Sequence, residues 1–493
     1  MPDPDETAPA PHQNYIGGKW VDAVAGRTYQ RHNPYDQSLV GVYQDSDEVD
    51  AANAVEAARE AFDFGPWPRT PATERAAVLR RAAALLRERA DLLAATMTRE
   101  LGQPAQRKTV ENEAEQLDYY AGLIVSRRDE AVYTQRDDAI GIVAKEPVGV
   151  VAALTSWNVP LSIVHKGLPG IAAGCTLVSK PAHLSSGVVL QLAQLLEDAG
   201  LPAGVFNVVT SAADNGAVVG QALVASHKVD MVTFTGSSAT GPHIVRAAAG
   251  NMKKMNIELG GKSPHVIFAD TPSLEQAAFA AAKGIIRLAG QSCQAGSRLL
   301  IQESIKNEFV PLLLEKVAEH KLGDPFDDNT TCGPLISEDQ LHKVESYVEI
   351  GKAEAKLLIG GNRPAAEDLS RGFFFEPTVF DDVSPDSRLA QEEIFGPVLS
   401  ILTFTDLNDA ISLANRSEFG LAAGCWTRDI NVAMRFAREV RSGVVWVNSY
   451  RDDVRLKHMP MGAGYKQSGI GREWGSEGLD AFLETKAIMI NLS

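Results

Sequence analysis

The sequence is poor in cysteine and has no long apolar run, and each shortage excludes a class of protein. Its 493 residues include four cysteines, which lie far apart and form no Cys-x-x-Cys pair. Disulfide scaffolds and zinc ribbons are therefore disfavoured, no metal site is expected, and a reducing compartment fits best. No apolar run reaches the roughly eighteen residues that a membrane span needs. The acidic N-terminus lacks the order of a secretory signal, so we expect a cytoplasmic protein.

Positive charge is also in short supply. Lysine and arginine number 47 against 63 aspartates and glutamates, a formal net charge of −16. A nucleic-acid partner is disfavoured because a polyanion would be repelled, although local lysines can still hold a small anionic cofactor. The chain is too long for one hydrophobic core, so two or three domains are expected after a disordered tail over residues 1–13.

Apolar periodicity predicts helices first and a parallel sheet afterwards. One helix is expected from about residue 47 and a longer one from about residue 73, where apolar residues recur every three or four positions. From about residue 148, short apolar runs alternate with helical stretches, which favours two doubly wound α/β domains in tandem. Residues 126–146 are predicted to form a protruding hairpin. The predicted strands are 150–154, 176–179, 205–209, 231–234, 265–268, 298–301, 399–404 and 444–447.

Cys293 stands apart from the other cysteines because its neighbours are small and polar. The segment Gly-Gln-Ser-Cys-Gln-Ala-Gly predicts a turn between a helix and a strand, from which a thiol can face a cleft. Backbone donors near such a turn are expected to lower the pKa of the thiol and activate it as a nucleophile. A lone cysteine is more often a small buried core residue, and Cys175, Cys332 and Cys425 keep that interpretation.

Glu258 and Asn158 offer a base and an amide donor. Glu258 ends an apolar run and precedes two glycines, and an apolar cleft would raise the pKa of its carboxyl and suit it to general-base work. The alternative is an exposed glutamate at the end of a strand. Asn158 stands two residues before Pro160 and is placed to donate its amide to an oxyanion. A turn-forming asparagine is the alternative there.

Three segments have the character of cofactor contacts. The segment containing Gly236 and Ser237 ends a strand and opens a helix, which suits a pyrophosphate, although its glycines are spaced G-x-x-x-x-G rather than G-x-G-x-x-G. Lys180 follows a strand and is suited to a ribose or phosphate, or is simply solvated. Glu393, with Phe395 beside it, offers a carboxylate to ribose hydroxyls, or forms a charged turn.

Together these motifs resemble those of the aldehyde dehydrogenase superfamily, in the family's order and over nearly everything after residue 14. The matching segments are residues 157–160, 174–182, 234–237, 258–262, 290–293, 393–397 and 466–469. The resemblance implies an aldehyde dehydrogenase-like fold with a dinucleotide-binding domain (14–125 and 147–260), a catalytic domain (261–470) and a small β oligomerisation element (126–146 and 471–493). It also implies NAD or NADP as cofactor, a small aldehyde as substrate, and a homodimer or homotetramer.

The mechanism that the resemblance implies agrees with the residues above. Cys293 attacks the aldehyde, and the Asn158 amide and the Cys293 backbone N–H hold the oxyanion. Hydride then leaves for the nicotinamide, and Glu258 activates the water that hydrolyses the thioester to an acid. Lys166 is implied to support the oxyanion side, and Glu473 to relay protons towards Glu258.

The same resemblance assigns the cofactor contacts. Lys180 is implied to bind the adenosine ribose, Glu393 the nicotinamide ribose, and Phe395 the nicotinamide end. The full set of expected cofactor contacts is Thr155, Ser156, Trp157, Lys180, His183, Gly236, Ser237, Glu393 and Phe395.

Several positions depart from the family pattern. His183 stands where NAD-preferring relatives often carry a glutamate, and a histidine does not repel a 2′-phosphate, so cofactor choice is open. Val159 and His165 replace bulkier aromatics, and the residues around Met461 lack a further aromatic, which suggests a wide entrance for bulky aldehydes. The basic residues Arg451, Arg455 and Lys457 suit an anionic substrate tail, although most such charges are solvated loop residues.

Two other functions compete with this interpretation. A CoA-acylating semialdehyde dehydrogenase would share the nucleophile but not need the base, and Glu258 argues against it. A non-catalytic structural or binding homologue would keep the fold alone. The joint presence of Cys293, Glu258 and Asn158 argues against that second alternative.

Overall fold

The computed structural model describes residues 10–104, 106–132, 138–451 and 458–492. Strands and helices alternate through most of this chain. The strands are β1 Asn14–Ile16, β2 Lys19–Val21, β3 Thr28–His32, β4 Leu39–Gln44, β5 Glu130–Val132, β6 Ala139–Pro147, β7 Val150–Leu154, β8 Thr176–Lys180, β9 Phe206–Val208, β10 Met231–Thr235, β11 Lys254–Glu258, β12 Pro264–Ile267, β13 Arg298–Gln302, β14 Lys356–Ile359, β15 Thr378–Asp381, β16 Val398–Phe404, β17 Phe419–Gly420, β18 Ala422–Trp426, β19 Val444–Val447, β20 Tyr465–Lys466, β21 Gly469–Ile470 and β22 Leu483–Asn491. The α-helices are α1 Glu48–Asp63, α2 Ala72–Glu88, α3 Ala90–Leu101, α4 Arg107–Ser126, α5 Ile163–Lys166, α6 Leu168–Ala173, α7 Gly187–Asp198, α8 Ala213–Ala225, α9 Gly241–Ala248, α10 Leu274–Ile286, α11 Lys306–Ala318, α12 Glu338–Glu354, α13 Arg388–Gln391, α14 Leu407–Asn415, α15 Ile430–Glu439 and α16 Gly475–Asp480.

The first large sheet has the strand order β2-β1-β9-β8-β7-β10-β11-β21, and its five central strands are parallel. The burial of strand β7 on both of its faces explains why its sequence is apolar throughout. Val151 and Ala153 pack into one hydrophobic cluster, while Val150, Ala152 and Leu154 pack into another on the opposite face. A strand buried on both faces has no position for an alternating polar residue.

The order of the strands places a crevice at one edge of this sheet. From β7 the chain passes to β8 on one side and later returns to β10 on the other. The connections that leave β7 and β10 therefore diverge at their carboxyl ends, which is where ligands bind in open α/β sheets. Asn158 follows β7, and Gly236 follows β10. Both predicted segments thus meet at one crevice.

The second large sheet has the order β14-β15-β16-β13-β12-β18-β19 and is parallel except for its edge strand β14. It encloses a separate hydrophobic cluster built around residues such as Leu299, Ile401 and Phe380. Two α/β sheets, each with its own core, confirm the predicted fold class. Each predicted strand has its ends within one residue of the observed strand.

The third sheet confirms the predicted hairpin. Its order is β22-β6-β5, and β22 pairs with β6 in antiparallel register from Leu483 to Asn491. The apolar side chains of Ile488, Met489 and Ile490 on this strand are exposed.

Two expectations need correction. The long helix predicted from residue 73 is two helices, because Arg89 leaves helical geometry (φ −97°, ψ 16°) between them and pairs with Asp198. Of the predicted disordered tail, residues 1–9 lie outside the described ranges, but the His12 N–H bonds to the Val42 carbonyl at 2.8 Å. Strand β21, at the end of the range predicted for the catalytic domain, pairs with β11 at the edge of the first sheet. Within the described ranges, no helix is long and apolar enough to cross a membrane.

Candidate active site

Two cavities meet at Cys293. The large cavity, of about 990 Å³, follows the carboxyl ends of β7, β8 and β10. The small cavity, of about 130 Å³, lies between α4, α5 and the segment around Glu473. Cys293, Asn158, Ser156 and Thr235 line both cavities. A thiol at such a junction can reach a ligand in either one.

The loop that carries Cys293 is held in an unusual backbone conformation. Leu288 (φ 55°) and Ala289 (φ 51°) take left-handed conformations just before it, which costs free energy for residues with a side chain. Gly290 (φ 71°) has no alternative, since a Cβ there would stand 2.0 Å from the Gly396 carbonyl oxygen. Behind the loop, the Tyr450 hydroxyl donates to the Gln294 carbonyl at 3.1 Å. Neighbouring structure therefore determines where the thiol points.

Glu258 ends β11 and faces this thiol. The Cys293 Sγ donates to Glu258 Oε1 at 3.1 Å. The two glycines that follow allow this approach, because a Cβ on Gly261 would stand 2.3 Å from the Cys293 carbonyl oxygen. A Cβ on Gly260 would similarly meet the Glu393 carboxylate at 2.5 Å. The predicted nucleophile and base are thus in direct contact.

The expected activation of Cys293 by backbone donors is wrong. Burial raises the pKa of the Cys293 thiol well above its ordinary value, and the negative charge of Glu258 raises it further. At neutral pH the resting group is a thiol, which needs a proton acceptor before it can attack. Glu258 Oε1 is the acceptor that the structure places there. The other three cysteines are buried, as predicted.

The carboxyl of Glu258 also departs from expectation. Burial raises its pKa, as predicted, but the charge of Lys166 and the hydrogen bond from Cys293 outweigh burial, and the net pKa is lowered. Lys166 Nζ lies 3.3 Å from Glu258 Oε2 and also pairs with Glu473. Its ammonium therefore stands against two carboxylates.

Glu473 completes this buried group of three charges. Burial raises the pKa of its carboxyl to about 7, the negative charge of Glu258 adds to that rise, and Lys166 opposes it. Two carboxylates sharing one ammonium cannot both ionise easily. Below about pH 7, Glu258 carries the negative charge and Glu473 is mostly protonated.

Asn158 lies where an amide donor is needed. Its Oδ1 accepts from the Ser156 hydroxyl at 2.8 Å, and its Nδ2 donates to the Gln291 carbonyl at 3.0 Å. These contacts orient the amide and use one of its two N–H bonds. The second N–H is available in the cavity that Cys293 also lines. An asparagine held this way is pre-organised for an oxyanion.

The large cavity brings together all nine residues expected to contact a cofactor. Lys180 and His183 lie near the carboxyl end of β8, and Glu393 lies near Cys293. Gly216 leaves space beside Lys180, since a Cβ there would stand 3.4 Å from its ammonium. An ammonium, a strand-to-helix turn and a carboxylate in one elongated cavity fit a dinucleotide.

The charges in this cavity bear on cofactor choice. Burial lowers the pKa of Lys180 to about 8, which leaves the ammonium mostly protonated at neutral pH. Burial, with the nearby Lys180 charge, lowers the pKa of His183 to about 4, so its ring is neutral. Neither the Lys180 ammonium nor the neutral His183 ring repels the 2′-phosphate that distinguishes NADP from NAD.

At the other end of the large cavity, Glu393 accepts from the Gly261 backbone N–H at 3.0 Å. Burial raises the pKa of the Glu393 carboxyl, and that hydrogen bond opposes the rise. Phe395 (φ 60°) presents its ring to Trp157 edge-on at 5.5 Å. Glu393, Phe395 and Trp157 line the large cavity together with Cys293.

The small cavity has an aromatic ring in its wall, whereas the sequence suggested a wide entrance with few aromatic residues. Val159 and His165 line this cavity, as predicted, but the Trp474 ring lies against the His165 ring at 4.9 Å. Trp474 therefore supplies the aromatic that was expected to be missing. Arg451 lines the small cavity too, whereas Arg455 and Lys457 lie outside the described residues.

Sequence reasoning missed several residues of the site. Gly462 (φ 70°) was not among the predicted site residues, yet a Cβ there would stand 3.0 Å from Glu473 and 3.4 Å from Glu258. The one signal for Gly462 in the sequence was its position close to the matching segment 466–469. Glu113, which bonds to His165, lies on helix α4 some 50 residues earlier, and nothing in its local sequence marks it.

Comparison with known proteins gives a consistent result. Residues 20–488 match the model of the aldehyde dehydrogenase family. The chain is 39% identical to betaine aldehyde dehydrogenase of Bacillus subtilis over 97% of each chain. Among solved structures, it is similar to an NAD-dependent aldehyde dehydrogenase of Sinorhizobium meliloti, with 41% identity, a TM-score of 0.94, and coverage of 98% of this chain and 95% of that one. It is also similar to betaine aldehyde dehydrogenase of Staphylococcus aureus in complex with NAD+, with 38% identity, a TM-score of 0.94, and coverage of 98% and 95%.

Proposed function

The chain belongs to the aldehyde dehydrogenase family, and we propose that Cys293, Glu258 and Asn158 carry out its NAD-dependent oxidation of an aldehyde to a carboxylic acid. The observation that carries these assignments is the contact of 3.1 Å between the Cys293 thiol and the Glu258 carboxylate, at the junction of two cavities. Lys180, Glu393 and the turn after β10 hold NAD in the large cavity, and the aldehyde enters the small one. When bound, NAD accepts the hydride that the carbonyl carbon loses.

The first step uses Glu258 as the proton acceptor of the thiol. The Cys293 sulfur forms a bond to the carbonyl carbon while its proton passes to Glu258 Oε1, and the carbonyl π electrons move to oxygen. The oxyanion is stabilised by the Asn158 amide and the backbone N–H of Cys293. Collapse of this adduct with loss of hydride leaves a thioester on Cys293.

The second step needs Glu258 in its ionised form again. Lys166 contacts both Glu258 and Glu473, so the proton taken from the thiol can pass through this buried group. The regenerated carboxylate removes a proton from water as the water oxygen attacks the thioester carbon. The C–S bond breaks, the acid leaves, and the thiol of Cys293 is restored.

A panel of aldehydes with both cofactors tests this function. We expect NADH formation with at least one aldehyde, and measurable NADPH formation as well, because His183 carries no negative charge. Aromatic aldehydes should give a higher kcat/KM than acetaldehyde, since the small cavity includes the Trp474 ring. Production of NADH is followed by absorbance. The assignment fails if no member of the panel reduces either cofactor.

The raised pKa of Glu473 gives a pH prediction with a definite sign. Below about pH 7 the Glu473 carboxyl is mostly protonated and no longer offsets the Lys166 charge. The full ammonium charge then acts on Glu258 and makes it a weak base. Above about 7, ionised Glu473 raises the proton affinity of Glu258, so thioester hydrolysis should accelerate about three- to tenfold.

The rate of the steady-state phase against pH measures this effect. In Glu473→Gln the inflection near pH 7 should disappear, and the rate should stay near its low-pH value. An unchanged inflection in that variant would assign the titration to another group.

We further propose the domain boundaries given above and a homodimer or homotetramer. The edge strand β22, with Ile488, Met489 and Ile490 exposed, supports assembly through the third sheet. Sedimentation of the intact chain distinguishes these states from a monomer.

A further inference from the structure

Part of the small cavity is lined by polar side chains. The proposed substrate of this cavity is an aldehyde, and its tail has not been specified so far. Glu113 of α4, Ser162 just before α5, and His165 of α5 line this part of the cavity together with Trp474. We call these four residues the tail subsite. Glu113, Ser162 and His165 are buried and polar, and the fourth offers an aromatic ring.

Glu113 and His165 form a buried pair. The His165 Nδ1 lies 3.1 and 3.2 Å from the two carboxylate oxygens of Glu113. Among the described residues, no other group donates to this carboxylate at hydrogen-bond distance, although a carboxylate has room for about four donors. The carboxylate thus keeps acceptor positions at a cavity wall.

Ser162 gives an independent sign of a missing partner. Its hydroxyl oxygen is buried, and no hydrogen-bond partner for it occurs in the part of the chain that the structure describes. Buried polar groups in proteins are almost always paired with protein, water or ligand. Glu113 and Ser162 line the same cavity, and each has unused hydrogen-bonding capacity, which points to a ligand that pairs with such groups.

An alkyl tail would be a poor occupant of this subsite. It would exclude water from the Glu113 carboxylate without supplying a hydrogen bond, and an unpaired buried polar group costs about 1–3 kcal/mol, more when it is charged. Sites built around such groups reject analogues that lack the matching donor far more strongly than apolar pockets reject an extra methylene.

We propose that the tail subsite selects aldehydes whose far end carries a hydrogen-bond donor, O–H or N–H, which the Glu113 carboxylate accepts. His165 is a positioning residue that orients the carboxylate, and the Trp474 ring packs against the body of the tail. This inference rests on the proposed function, because it names the substrate class of the same site.

Matched benzaldehydes test the proposal, because the members of each pair differ in a donor but hardly in size. In the hydroxyl pair, (hydroxymethyl)benzaldehyde is compared with ethylbenzaldehyde. In the ammonium pair, protonated (dimethylaminomethyl)benzaldehyde is compared with isobutylbenzaldehyde. Each substituent is placed at the meta and para positions to sample two lengths of reach. We expect the donor-bearing member of at least one pair to have a kcat/KM about ten- to a hundredfold higher, and the pair showing it identifies the donor.

Variants of Glu113 locate the effect. In Glu113→Gln the preference should fall several-fold, because a neutral acceptor makes a weaker hydrogen bond than a carboxylate. In Glu113→Leu it should reverse in favour of the alkyl member. The ratio within one variant is unaffected by a loss of folded protein. Glu115→Gln, the same change at an exposed position of α4, should leave the ratio unchanged.

The outcomes separate this inference from the proposed function. Oxidation of both members of each pair with equal efficiency, or a preference that survives in Glu113→Leu, would overturn the tail subsite and leave the dehydrogenase intact. A preference for (carboxymethyl)benzaldehyde would also overturn it and assign selectivity to a cation such as Arg451, which lines the same cavity. If no aldehyde is oxidised at all, the proposed function fails, and this inference with it.

Discussion

Replacing the sulfur of Cys293 with oxygen should reduce aldehyde oxidation by at least about 10⁴-fold. A serine hydroxyl in the same place is far less acidic than a thiol, and the proton acceptor that the described residues place in contact with it is Glu258 at 3.1 Å. That carboxyl has a lowered pKa and is a weak base, so it cannot compensate. A loss of this size corresponds to about 5.4 kcal/mol of transition-state stabilisation. Stopped-flow measurement of NADH formation gives the rate directly.

The other cysteines supply matched controls. Cys175→Ser should keep near-normal activity, because Cys175 is buried and its Sγ donates to the Phe482 carbonyl at 3.6 Å, which a hydroxyl can also do. NAD titration by fluorescence should give similar affinity for Cys293→Ser and the unaltered chain, since the cofactor contacts are untouched. Iodoacetamide should label one cysteine per chain. Substantial turnover by Cys293→Ser, or loss of activity in Cys175→Ser alone, would contradict the assignment.

Glu258→Gln should separate oxidation from hydrolysis. The amide cannot take a proton from water, so the thioester should accumulate and steady-state turnover should fall by about 10²- to 10⁴-fold. The first turnover should be slowed less, because removing the negative charge also removes one cause of the raised Cys293 pKa. The expected trace is therefore a burst of about one NADH per active site followed by a slow phase. Mass spectrometry of the quenched protein should show the acyl group on Cys293.

Controls for this variant address the competing chemistry. Glu439→Gln, at an exposed ion pair with Arg435, should leave both phases unchanged. Adding coenzyme A should not restore turnover to Glu258→Gln if hydrolysis is the natural route. Full turnover by the variant without coenzyme A would remove Glu258 from its role as base, and release of acyl-CoA by the unaltered chain would favour the acylating alternative.

The motifs around Cys293 and Glu258 could be recognised in the sequence because each depends on local chain geometry. Gly261 lies three residues after Glu258, and the close approach of the Cys293 carbonyl requires a residue without a Cβ there. The apolar run of β7 similarly reports burial on both faces. Local patterns of this kind identified the parallel sheets, the nucleophile, the base and the amide donor. They also predicted that Asn158 and Gly236 follow strands, which placed both at the crevice.

Electrostatic properties were not readable in the same way. The pKa values of Cys293 and Glu258 shift in directions opposite to those expected. Burial and then the Glu258 charge raise the first, while the Lys166 charge and the hydrogen bond from Cys293 outweigh burial and lower the second, and these contacts join segments far apart in the chain. Lys166 is 92 residues from Glu258, and Glu473 is 307 residues from Lys166. Which residues line a cavity is likewise a property of packing, as the contact between Trp474 and His165 shows.

The amino-acid sequence alone determined that this chain forms two α/β domains and carries a cysteine, a glutamate and an asparagine suited to acyl chemistry, since composition and short-range periodicity govern helix, strand and turn. The tertiary structure decided which charges meet. It set the resting thiol of Cys293 against Glu258, shared one ammonium between two carboxylates, and placed Glu113 beside His165. Coulombic and desolvation energies depend on distances and burial that arise only when segments far apart in the chain are packed together.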